Sequence, residues 1–125
     1  MIAKLQCVVL DCPDPGELAR FYAALLGGAV NQPDPRWMPS DGWATLHLES
    51  GDVLCFQRVD DFRPPRWPDP ARPQQVHLDL AVGDLDQAQE RALGAGATLL
   101  DASAAGRSWR VYADPAGHPF CLVRD

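Results

Sequence analysis

No run of apolar residues in this chain approaches the roughly 18–20 that a membrane-crossing helix needs, so a spanning segment is not expected. Basic residues are scarce: 11 Lys and Arg stand against 17 Asp and Glu, a net charge of −6. A nucleic-acid partner needs a basic face, and the one arginine cluster, Arg58, Arg63, Arg66 and Arg72, is diluted by Asp60, Asp61 and Asp69. There is no C-x-x-C pair among Cys7, Cys12, Cys55 and Cys121. In a reducing compartment these four are expected as free thiols, most of them small apolar fillers. The opening Met1-Ile-Ala-Lys-Leu-Gln lacks the apolar core of a secretion signal, which sets the expectation of a cytoplasmic protein with neither nucleic acid nor membrane as partner.

What the chain does have is an internal repeat. Cys7-Val-Val-Leu-Asp-Cys-Pro-Asp14 leads into Pro15–Gly27, and 70 residues on, His77-Leu-Asp-Leu-Ala-Val-Gly-Asp84 leads into Leu85–Gly94. Each copy reads as an apolar strand, a step to an Asp, a helix and a glycine stop. A unit this small cannot bury its own apolar face. Two copies covering one another would leave a ligand groove between them, with Cys7 and His77 at equivalent positions. The 125 residues are then expected to form one domain: a first module over about 1–59, a linker over about 60–73 and a second module over about 74–125.

Helix one has Asp14 as N-cap, Pro15 in its first turn and Glu17 completing a capping box. Leu18, Phe21, Tyr22, Leu25 and Leu26 form one apolar stripe, and Gly27-Gly28 ends it. Helix two repeats this with Asp84 as cap, Gln87 three positions on, and Gly94 as stop. Alternation marks strands at Leu5–Leu10, Trp43–Glu49, Val53–Val59, Thr98–Leu100, Ser108–Ala113 and Phe120–Val123. Asp114-Pro115-Ala116-Gly117 suits a type I turn. Asp60–Pro73, with five prolines, reads as a semi-rigid crossing segment, and Gln32–Ser40 as an irregular loop.

Several side chains carry chemistry. His77 and Asp79 lie two apart on one strand and share a face; they can pair as imidazole and carboxylate, or Asp79 can instead bond a neighbouring arginine, such as Arg110, or a backbone N–H. His47 shares the Trp43 and Thr45 face of its strand, lining a cavity or meeting solvent. His118 follows a turn and is expected in water. Trp37, Trp43, Trp67 and Trp109 either suit a planar or apolar ligand or serve core and dimer packing; Trp37 and Met38 either cap a pocket or cover core.

The doubled β-α-β-β-β unit, with Phe21-Tyr22…Leu26-Gly27 in the first helix and Asp114-Pro115-Ala116-Gly117 before the last strand, resembles the vicinal oxygen chelate superfamily. Phe56-Gln57 and His77-Leu-Asp79-Leu are similar to its glyoxalase-like branch. The resemblance implies an α+β fold: two βαβββ modules in tandem forming a curved, partly open mixed β-sheet with helices on the outer face, the glyoxalase/bleomycin resistance fold. It also implies a homodimer.

Metal-dependent members place one ligand on the first and last strand of each half, typically His, Glu, His, Glu. The matching positions here are Cys7, Gln57 (or Cys55 in another register), His77 and Cys121. Gln57 cannot serve as a proton-moving carboxylate, and a thiolate at Cys121 is soft where an oxygen is usual. Neither glyoxalase I nor extradiol dioxygenase chemistry is therefore expected, and no metal or other cofactor. If a metal is held, it is zinc on Cys7, His77 and Cys121 with Gln57. The expected function is small-molecule binding at a degenerate metal site, in the groove between modules, by Cys7, Trp43, His47, Gln57, His77, Asp79, Trp109 and Cys121. The alternative is a lyase or isomerase that uses the Cys/His zinc site or a metal-free His77–Asp79 acid–base pair.

Overall fold

The computed structural model describes residues 1–38, 40–102 and 105–125. The chain divides into two compact units, Met1–Phe62 and Arg63–Asp125. Each is a βαβββ module with a mixed, open four-stranded sheet and one helix.

The first module runs β1 (Val8–Cys12), α1 (Pro15–Leu26), β2 (Ala29–Val30), β3 (Trp43–His47) and β4 (Val53–Arg58), in the sheet order β1-β4-β3-β2. β1 lies parallel to β4, while β3 is antiparallel to β4 and β2 to β3. Period-2 alternation divides the strands between two faces. One face presents Leu10, Cys12, Ala44, Leu46 and Phe56, all buried, beside the buried Leu18, Phe21 and Tyr22 of α1. Tyr22 stacks on Phe56 at 5.9 Å between ring centroids. Asp14 caps the helix as expected, its Oδ1 accepting from Glu17 N at 3.1 Å. The other face carries Val9, Asp11, Trp43, Thr45, His47, Val53, Cys55 and Gln57.

The second module repeats the plan: β5 (Leu78–Val82), α2 (Leu85–Ala95), β6 (Thr98–Asp101), β7 (Trp109–Ala113) and β8 (Pro119–Arg124), in the order β5-β8-β7-β6. Tyr112 and Phe120 stack at 5.5 Å on its helix side, and the Tyr112 hydroxyl donates to Gln89 Oε1 on α2 at 2.9 Å. Asp84 caps α2 through Gln87 N at 2.9 Å.

Three sequence expectations need correction. β1 begins at Val8 rather than Leu5, because its partner β4 starts at Val53 and offers Leu5 nothing to pair with; Leu5 stays 87% exposed. Gly94 does not stop α2. The helix continues to Ala95, and Gly96, at φ 120°, is the C-cap, where a left-handed backbone favours glycine. β2 is two residues long, too short to show alternation, and no strand was expected there.

The turn before β8 forms as its sequence requires. Gly117 N donates to Asp114 O at 2.8 Å, and the buried Asp114 carboxylate accepts from Ala116 N and His118 N. The proline-rich segment also has order of its own. Arg72 Nη2 donates to Pro64 O at 2.6 Å, and Pro64 packs so closely under Gly117 that a Cβ there would lie 2.7 Å from the proline's own.

Candidate functional site

In the first module the loop 31–38 folds beside β3 and is tied to it residue by residue. Asn31 adopts a left-handed backbone, φ 55°, and exchanges two hydrogen bonds with Thr45, one backbone and one through its side-chain oxygen. Asp34 is the hub. It accepts from Arg36 Nη2 at 2.7 Å and Arg36 Nε at 3.0 Å, and from the His47 ring at Nε2, 3.2 Å away. The two Arg36 contacts, more than the His47 bond, hold the Asp34 carboxyl well below the usual carboxylate range. Thr45 Oγ1 stands 3.4 Å from the other ring nitrogen, Nδ1. Trp37 sets its ring edge-on to His47 at 6.0 Å, and the Arg36 guanidinium lies 4.4 Å over the Trp37 ring.

Between this loop and β3 is a cavity of about 200 Å³, whose lining includes Pro33, Trp37, Met38 and Trp43 with Asp34 and Thr45. Trp43 Nε1 is buried and has no hydrogen-bond partner among the described residues. A buried donor without a partner is costly. His47 is not itself in the lining; it sits behind Asp34 and Thr45, out of solvent, its side chain only 9% exposed. Asp34, Arg36 and Asn31 were not singled out from the sequence. Only Asp34 had a local signal, an acidic residue two before an arginine in a proline loop.

Strand register settles which residue of β4 matches Cys121. Val9 opposes Cys55 as Asp79 opposes Cys121, and Cys7 precedes Val9 by the step that separates His77 from Asp79. The first-module position is therefore Cys55. Gln57, exposed and opposite Asp11 and Trp43, lies one step too far along β4. Cys55 is fully buried, and burial followed by the Cys7 contact pushes its thiol up to about 12.

In the second module His77, Asp79 and Cys121 come together, their ligand atoms all within 4.8 Å of one another. His77 Nε2 is 3.4 Å from Asp79 Oδ1, with the two side chains 44% and 61% exposed. Burial, then Asp79, pushes the Cys121 thiol up to about 11. The suggestion that Asp79 bonds Arg110 is corrected: Arg110 sits on the opposite face and reaches Asp86 at 2.8 Å and Gln89 at 3.1 Å. Trp109 is exposed on the His77 side, with the Arg107 guanidinium 4.5 Å over its ring. His118 is half-buried rather than solvated.

The positions that match the superfamily's usual ligands differ between the two modules. The two thiols of the first module, Cys7 and Cys55, are soft donors and do not suit a hard divalent ion. The imidazole, carboxylate and thiol of the second module are donor types that zinc accepts.

A family model described as a glyoxalase-like domain matches residues 7–123, and the chain belongs to that family, within the vicinal oxygen chelate superfamily. No curated protein matches it. Among solved structures it is similar to a hypothetical protein from S. aureus, at 20% identity and a TM-score of 0.69, covering 100% of this chain and 99% of that one. It is similar also to a glyoxalase/bleomycin resistance protein/dioxygenase family enzyme from Burkholderia phytofirmans, at 18% identity and a TM-score of 0.71, covering 98% of each chain. A third is a mutant of the fosfomycin resistance protein FosX from Listeria monocytogenes, complexed with Mn(II) and 1S,2S-dihydroxypropylphosphonic acid. Its identity is 16% and its TM-score 0.70, covering 98% of this chain and 93% of that one. At such identities the likeness carries the fold.

Proposed function

We propose that this chain is a small-molecule-binding protein whose superfamily metal positions have degenerated, and that its ligand is an apolar or aromatic compound. The observation that carries this reading is the cavity beside β3, walled by Trp37, Trp43 and Met38. An apolar cavity of about 150 Å³ holds benzene, so about 200 Å³ suits a single substituted ring. Cys55 supports the same reading from the other side. At the position where metal-dependent members of the superfamily place an oxygen or imidazole ligand, this chain has a fully buried thiol. Sequestering a metabolite or drug is one form such binding takes. The homodimer implied by the superfamily resemblance belongs to this reading too.

The test is calorimetric titration with toluene and its ring-substituted relatives. Saturable binding, weakened at least fivefold by Trp37→Ala, is expected; heats indistinguishable from dilution for every ring compound would overturn it.

A second reading, a lyase or isomerase, is favoured by the His77, Asp79 and Cys121 cluster. These three residues would hold zinc, which supplies Lewis-acid chemistry when bound. Without metal, His77 and Asp79 would act as the acid–base pair. Elemental analysis of dialysed protein, purified without an affinity metal, tests the metal form. Near-stoichiometric zinc that disappears in His77→Ala would put this reading first.

A further inference from the structure

We infer that the cavity of the first module selects ring compounds carrying an O–H or N–H donor, because the hydrogen-bonded series Asp34, His47, Thr45 leaves the hydroxyl of Thr45, a residue of its lining, as an acceptor. This rests on the pocket reading above and adds the chemical class of the ligand.

The inference follows from hydrogen-bond bookkeeping. An ionised carboxylate only accepts, and Asp34 is kept ionised by the arginine two residues on. The His47 nitrogen facing it at 3.2 Å, Nε2, must therefore carry the proton. In the neutral ring the other nitrogen, Nδ1, is then an acceptor. The group it faces, at 3.4 Å, is the Thr45 hydroxyl, which has one proton to give. With that proton directed at the imidazole, the hydroxyl of Thr45, one of the residues lining the cavity, has only lone pairs left to offer a ligand. The Thr45 backbone is not free to alter this, since its N–H and C=O are both engaged by Asn31.

A ligand without a donor would leave that oxygen desolvated and unpaired on binding, whereas a phenol, an anilide or a lactam satisfies it. Sites built to hydrogen-bond a ligand group reject analogues that lack it far more strongly than they sense a methylene. Trp43, another lining residue, has an Nε1–H without a partner among the described residues, a polar group of the opposite sense.

The decisive experiment compares 4-methylphenol, 4-methylanisole and toluene by calorimetric titration. The phenol and the anisole both carry an oxygen on the ring, and the anisole is one methyl larger; only the phenol donates, and the loss of the preference in the Thr45 variant separates the donor from the size difference. The phenol should bind at least about fivefold more tightly than the anisole, in line with one net hydrogen bond. Thr45→Val should abolish that preference while still binding toluene, which doubles as the check that the variant is folded. Equal binding of phenol and anisole, or tighter binding of anisole, would overturn the donor inference and leave the pocket standing. Failure of all three to bind the wild-type protein would overturn both.

Discussion

His47 donates through Nε2 to the Asp34 carboxylate at 3.2 Å, tying the middle of the first sheet to a loop residue thirteen positions earlier. That bond and the arginine beside it give the loop its place, and the loop gives the cavity its outer wall.

Asp34 makes this arrangement acid-sensitive. Its carboxyl is held below its ordinary range in the folded protein, chiefly by Arg36, so the folded state binds its proton less readily than the unfolded chain. The sign is therefore fixed: the stabilisation is complete above the unfolded value of about 4 and is lost as the pH falls below it. Thermal melts of the wild type and Asp34→Asn at pH 6 should be well separated, and the gap should narrow on acidification toward pH 2. A gap that stays constant would rule out this role.

The thiols should separate by burial. Cys12 and Cys55 are fully buried, and Cys55 stays protonated up to about 12. In native protein at pH 8, mass spectrometry after iodoacetamide treatment should find both unmodified, and unfolding should expose all four cysteines. The same thiol has an alkaline signature. Because its folded value lies above the unfolded value of about 8.5, stability is full below that pH and falls as the pH rises past it. Cys55→Ala should show a shallower alkaline decline in Tm.

Gly117→Ala should destabilise the protein by about 1–3 kcal/mol, the range for left-handed strain at a non-glycine residue. The turn sits at φ 93°, and the new methyl would meet Pro64 at 2.7 Å, a ring that cannot swing aside. Urea unfolding measures this; a change under 0.5 kcal/mol would mean that the segment under the turn yields freely.

Gly94→Ala should act in the opposite direction. Gly94 lies within α2, and a Cβ there meets nothing within 4 Å. Replacing a helix-interior glycine by alanine stabilises by roughly 0.5–1 kcal/mol. If Gly94 ended the helix, the substitution would be neutral or harmful, so the sign of the urea midpoint shift distinguishes the two.

Much of the fold was legible because the chain states it twice. Asp14 and Asp84 mark two helix starts with the same residue type at the same distance from an apolar strand, and both cap as expected. The site was harder for two separate reasons. Cys55 and Gln57 have the same parity on β4, so alternation places both on one face and cannot choose between them. The choice lies in which residue of β1 each opposes, and no single strand contains that information. Asp34 and Arg36 were missed because their role depends on how a proline-rich loop folds back on β3, and such a loop has no period to read. His47, by contrast, could be placed on the right face from its neighbours Trp43 and Thr45, although its partner could not.

In each module the strand synthesised first pairs with the strand synthesised last. Val8 must wait for Leu54, and Leu78 for Phe120. A growing chain can form α1 and the β3–β4 hairpin from neighbouring residues, but β1 leaves the ribosome with no partner and stays an open edge until β4 follows. Closing so long a loop is entropically costly and slow. During translation the hazard therefore falls at a definite place: a polypeptide halted before Val53 carries Val8–Cys12 as an unpaired strand, open to whatever other strand it meets first.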